Sequence, residues 1–94
     1  MQLPFTNNPE ESFSITIFGV VYNMRQLWNT LGFWTLDIAD SSGATLVAGI
    51  KLMAGINITK QYPGIRFNLQ SSDIADPTRY NLDSSAFEVT NKDV

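Results

Sequence analysis

Acidic, basic and indole side chains are the groups in this chain that could do chemistry. Asp37, Asp40, Asp73 and Asp76 invite a calcium reading. A calcium loop, however, needs several oxygen ligands at regular spacing around a glycine turn, and Asp73-x-x-Asp76 offers only a pair of acids. Two carboxylates flanking a cleft could hydrolyse a glycosidic bond, but Asp37 falls on the solvent face of its strand and has no evident partner. Arg25, Arg66 and Arg79 could line a path for a nucleic acid strand, with Trp28 and Trp34 as stacking platforms. Three arginines diluted among nine acids favour ion pairs instead. Two indoles, each able to bury about 150–250 Å², suit the core or an interface of a small fold. Neither histidine nor cysteine occurs, so disulfides, thiolate nucleophiles and Ser-His triads are excluded, together with nearly every zinc site. The residues argue against catalysis, and no cofactor or metal is expected.

Bulk properties point the same way. The 94 residues suffice for one domain, and 44% hydrophobic with 12% aromatic content supports a packed fold rather than disorder. A net charge of −3, with the bases scattered, disfavours phosphate backbones and anionic membranes. The start, Met1-Gln2-Leu3-Pro4-Phe5, lacks a signal-peptide pattern, and the apolar run 44–56 contains Lys51 and is shorter than the roughly 18 residues a bilayer span needs. A soluble protein made in a reducing cytoplasm is expected.

The elements that would position these groups are strands. Residues 1–12, with two prolines and Glu10-Glu11, read as an N-terminal arm, and 13–94 as a single all-β domain. A first strand runs from Phe13 to Phe18, and Gly19 permits a sharp reversal or a bulge. The second, Val20 to Trp28, sets Tyr22, Met24 and Trp28 opposite Val21, Asn23, Arg25 and Leu27. Beyond the polar break Asn29-Thr30-Leu31-Gly32, the third strand, Phe33 to Asp40, alternates Trp34, Leu36 and Ile38 with Thr35, Asp37 and Ala39. Asp40-Ser41-Ser42-Gly43 fits a tight hairpin with a bulge, because Asp heads type I turns and Gly accepts positive φ. A fourth strand spans Ala44 to about Leu52. The echo of Leu46–Ile50 in Leu52–Ile56 reads as two strand segments around a corner, with Gly49 and Gly55 at bulges or kinks. Asn57 to Tyr62 suits one helical turn, Ile65 to Gln70 a further strand, 71–83 a long loop, and Phe87 to Val89 a last strand. The expectation is a small antiparallel β-barrel or sandwich of about six to seven short strands.

The order and spacing of particular residues add a family. Trp28-Asn29, then Gly32-Phe33-Trp34-Thr35-Leu36-Asp37-Ile38, then Asp40 and Gly43, resemble the baseplate plug family of contractile-tailed bacteriophages. Gln61-Tyr62, Asp76-Pro77-Thr78-Arg79 and Asn81-Leu82 are similar to its later segments, so the likeness runs from about Phe13 to Val89. Thr30-Leu31 and Asp83 depart from it, at turns where a basic residue and glycines are expected. The resemblance implies a virion component, synthesised in the bacterial host cytoplasm. It would plug or line the hub end of the tail tube by packing against baseplate, hub or tail-tube proteins or against its own copies. Neither nucleic acid nor membrane is expected as a partner. The competing reading is a small β-barrel binding module for an oligonucleotide or small ligand. Contact residues are sought on apolar off-face positions, Val21, Leu27 and Phe33, and on Leu3 and Phe5 of the arm.

Overall fold

A computed structural model describes residues 1–92; Asp93 and Val94, the end of the expected domain, lie outside the described residues. Among the described residues, six strands form two antiparallel sheets: β1 Glu10–Ile17, β2 Val20–Asn29, β3 Phe33–Asp40 and β4 Thr45–Lys51 in the order β1-β2-β3-β4, and β5 Phe67–Ser71 with β6 Phe87–Asn91. The all-β expectation holds. The barrel is not closed: the sheets pack over one shared core, and a lone parallel bridge, Ala54 to Ser71, links the chain just after β4 to β5.

Register follows the alternation in the sequence. Met24 pairs with Phe13 and Ile38, Gln26 with Leu36, and Trp28 with Trp34, so one face of the large sheet carries the apolar series. Trp34, Leu36 and Ile38 are fully buried there. From the small sheet, Phe67, Leu69, Phe87 and Val89 close over them. The rings of Tyr22 and Phe67 meet edge-on across the two sheets at 5.1 Å.

The hairpin turns are built from the residue types that such turns require. In the β3–β4 turn the Gly43 N–H donates to the Asp40 carbonyl (3.0 Å) and the Asp40 N–H to that of Ala44 (2.9 Å), with Gly43 at φ +88°. That is a type I turn closed by a left-handed residue, the three-residue hairpin with a bulge. The β2–β3 turn repeats the device: Gly32, φ +106°, donates to the Asn29 carbonyl, and the Asn29 side chain accepts from the Leu31 N–H. Within β4 the register slips twice. At one slip the Gly49 N–H turns to Asp37 Oδ1 (2.8 Å), which is the expected bulge.

Several expectations change. The segment 1–12 is not a free arm. Glu10–Ser12 belong to β1, Gln2 bridges to Glu88, and the Val89 N–H donates to the Met1 carbonyl. Leu3 and Phe5 are buried, and Phe5 sits edge-on between Phe13 at 6.1 Å and Phe87 at 5.9 Å. The second apolar run, Leu52–Ile56, forms no strand beyond the single bridge at Ala54. The stretch 57–65 folds as successive tight turns, with i to i−3 bonds from Lys60 and from Tyr62, rather than as a helical turn. Phe18 lies outside β1, the strand expected at Ile65–Gln70 begins at Phe67 and ends at Ser71, and the last strand extends to Asn91. The loop after β5 contains a 3-10 turn, Leu82–Ser84, which carries no sequence signature.

Candidate docking surfaces

The candidate chemical residues are taken up by the fold. Arg25 faces Asp37 at 3.0 Å and Glu10 at 3.6 Å on the outer side of the large sheet. Arg79 donates to the Asn7 carbonyl (2.5 Å) and lies over the rings of Trp34 and Tyr80, at 5.8 and 5.0 Å. Arg66 is engaged as well. The acids are tied up separately: Asp37 bonds Arg25 and the Gly49 N–H, Asp40 closes the turn at the end of β3, and of Asp73 and Asp76 in the loop after β5, Asp76 accepts from the Ala54 N–H at 2.8 Å. Among the described residues, no three acidic side chains gather where they could hold a metal ion.

Asp40 shows what such an acid does here. Its Oδ1 accepts from the Ser42 hydroxyl (2.6 Å), the Ser42 N–H (2.9 Å) and the Ala44 N–H (3.0 Å). The Ser42 hydroxyl above all, with the Ala44 amide next, holds the carboxyl below its ordinary value. A lowered folded pKa means that the ionised form favours the folded chain. Its contribution is therefore complete above about pH 4 and is lost as the pH falls through the folded value. Asp40→Ala is expected to lower the Tm at neutral pH, with the gap to the parent closing below about pH 4. A gap that stayed constant down to low pH would remove the carboxylate from this account.

Trp34 is wholly buried, and its Nε1–H donates to the Thr78 carbonyl at 2.7 Å, which ties the loop after β5 to the large sheet. Trp28 is half-buried, edge-on to Trp34 at 5.3 Å. Together with Asn29 and Gly32, Asp40 and Gly43, and Leu36 and Ile38, these residues form the turns and core of the large sheet. Phe33 is the outlying member, half-buried on the outer face with the Lys51 ammonium over its ring at 5.0 Å.

Surface available to partners lies elsewhere. Leu3 and Phe5 are removed from that role by their burial inside the chain's own core, where they fill the space between the sheets. Val21 is exposed, and Leu27 and Phe33 are half-buried on the outer face. The sequence reading allowed a reversal at Gly19 but placed Phe18 in the first strand instead of at the exposed β1–β2 tip. Phe18 and Gly19 make a two-residue connection with φ of +49° and +81°, the left-handed pair that a type I′ hairpin requires. Asn-Gly or Gly-Gly adopts that pair readily, whereas an aromatic residue is strained in it. Phe18 nevertheless occupies it with 55% of its surface exposed, beside exposed Val20 and Val21. The signal was legible in principle, because a glycine-terminated dipeptide between alternating segments marks a two-residue turn.

Two depressions, each about 520 Å³, indent the surface. One lies on the outer face of the large sheet between Ser12, Ser14, Asn23 and Ala39, over the Arg25–Asp37 pair. The other lies between the end of β4 and the turns 56–62.

With the fold and these surfaces described, comparison with known families is decisive. The model described as "Cyanophage baseplate Pam3 plug gp18" matches residues 1–91 of the 94. The chain belongs to this family. Membership in the plug family is consistent with a structural role in the phage baseplate, as the resemblance implied. No curated protein matches the chain. The residues on which the resemblance rested, Trp28, Asn29, Gly32, Trp34, Leu36, Ile38, Asp40 and Gly43, lie in the turns and on the core face of the large sheet.

Proposed function

We propose that this chain works by packing: it plugs or lines the hub end of the tail tube in the baseplate, held by contacts with neighbouring hub, tube or baseplate subunits, and it catalyses nothing. The observation that carries this reading is the family match over residues 1–91. The β1–β2 tip supports it. Backbone strain retained at an exposed aromatic residue costs stability and returns none within the chain, which is the pattern of a residue kept for a contact. Val21, Leu27 and Phe33 extend the same surface along the outer face. The competing reading, an oligonucleotide-binding module, gains nothing from Arg25 and Arg79, both held within the fold.

Phe18→Asn separates the two effects. Asparagine is at ease in the left-handed region, so the isolated chain is expected to become more stable by about 1 kcal/mol in urea unfolding. Phage carrying the substitution are expected to incorporate fewer copies into tails and to lose titre. A variant that is stabilised and still incorporates normally would remove Phe18 from the contact surface.

A further inference from the structure

The six cations of the chain are unevenly engaged. Arg25 is paired with two carboxylates, and Arg79 is bound to Asn7 and two rings. Lys92 donates to the carbonyls of Thr59, Tyr62 and Ile65, at 2.7, 2.9 and 2.7 Å, and Arg66 is engaged too. Lys51 and Lys60 have no carboxylate partner among the described residues; Lys51 lies over the Phe33 ring at 5.0 Å, a contact that leaves its charge uncompensated. Both lysines line the same depression of about 520 Å³, a size within the roughly 300–1,000 Å³ of sites that seat small ligands or anchor side chains. Apart from the polar Asn57 and Gln61, its walls are largely apolar: Ile50 is buried, Met53 and Tyr62 are half-buried, and Ile56 is 46% exposed. The wall formed by the turns 57–65 is fixed from behind by Lys92, so the groove is formed in advance of any binding.

From this geometry we propose that the groove between the end of β4 and the turns 56–62 is a docking site for an acidic, apolar peptide segment of another protein. That segment would place large apolar side chains against Ile50, Met53 and Ile56, and its carboxylates beside Lys51 and Lys60. Charge complementarity selects the occupant: two ammonium groups without a carboxylate partner flank a largely apolar floor on a chain whose net charge is −3. A nucleic acid strand fits less well, because bases need planar aromatic platforms and Tyr62 is the one aromatic residue lining this groove among the described residues. The proposal rests on reading the chain as a packing protein. It is tested by binding alone, whereas that reading is tested by the composition of tails.

The probe is a random peptide library selected on the immobilised chain. Enriched peptides are expected to carry Asp or Glu flanking Leu, Ile or Phe. A synthetic copy of one is expected to bind at least roughly tenfold more weakly to the Lys51→Glu, Lys60→Glu variant and to weaken with salt. Ile56→Asp, at an exposed position, provides a second variant that should lose binding while its circular dichroism stays that of the parent. Failure to enrich any peptide, enrichment without acidic bias, or equal binding to the charge-reversed variant would overturn the proposal. So would tighter binding of oligothymidylate. Self-association of the parent that the charge reversal abolishes would overturn it in favour of a second copy of this chain.

Discussion

Trp34→Ala is expected to remove most of the stability of the isolated domain. The indole is fully buried between the sheets, so its loss leaves a cavity costing about 3–5 kcal/mol. It also frees the Thr78 carbonyl and the guanidinium of Arg79 from their partner, which loosens the loop after β5 as well as the core. A domain of this size has about 5–15 kcal/mol in total, so the variant should be largely unfolded near body temperature. Trp34→Phe keeps most of the volume but loses the N–H, and should cost distinctly less. Urea unfolding reads both. A loss below about 1 kcal/mol for the alanine variant would mean that the indole does not organise the core.

Gln26→Leu is expected to be the second most damaging substitution, although it replaces a polar residue with an apolar one in a buried position. Gln26 is fully buried on the core face of β2, and its amide is completely used. Oε1 accepts from the Thr6 N–H at 3.1 Å, and Nε2 donates to the carbonyls of Thr6 and Asn8, at 3.0 and 2.8 Å. Leucine would leave one N–H and two carbonyls without partners, a loss of about 2–4 kcal/mol, because groups stripped of their hydrogen bond bear the desolvation cost. The damage should be local first: limited proteolysis should cut near residues 6–9 before the rest of the chain opens. If the variant resists protease like the parent and melts at the same temperature, the N-terminal segment is held by Leu3 and Phe5 alone.

Gln26 also marks the boundary of what the sequence discloses. The strands that alternate cleanly, β2 and β3, were legible, as was the Asp40–Gly43 turn, because local periodicity and turn chemistry determine them. Within β2, a glutamine between Met24 and Trp28 reads as a lapse in the apolar face; its role becomes visible only when Thr6 and Asn8 arrive to meet it. The same holds for the segment 1–12. Leu3 and Phe5 are isolated apolar residues among prolines and polar groups, without a period of their own, and their partner Phe87 lies at the far end of the chain. Contacts of such long range leave no local mark. The second apolar run misled for the converse reason. Leu52–Ile56 has strand composition, but Leu52 donates to the Trp34 carbonyl and Gly55, φ +79°, then turns the chain toward Ser71, so the run crosses between sheets instead of joining one.

The candidate surfaces were less legible than the fold. The residues that carried the resemblance lie mostly in turns and core, so the resemblance pointed to the family without locating contacts. Phe18 was read as the end of a strand, and its left-handed backbone became evident only once the two-residue turn was in view. Lys51 and Lys60, nine positions apart, become neighbours on one groove through the turns 56–62.

The central claim, that this chain is a structural component of the tail, is most directly tested by quantitative mass spectrometry of purified tails detached from capsids. The account predicts that the chain co-purifies with the tails in a fixed ratio to the hub and tube subunits, and that chemical cross-links join it to one of them. A chain absent from washed virions, or present only in infected-cell lysate, would contradict it.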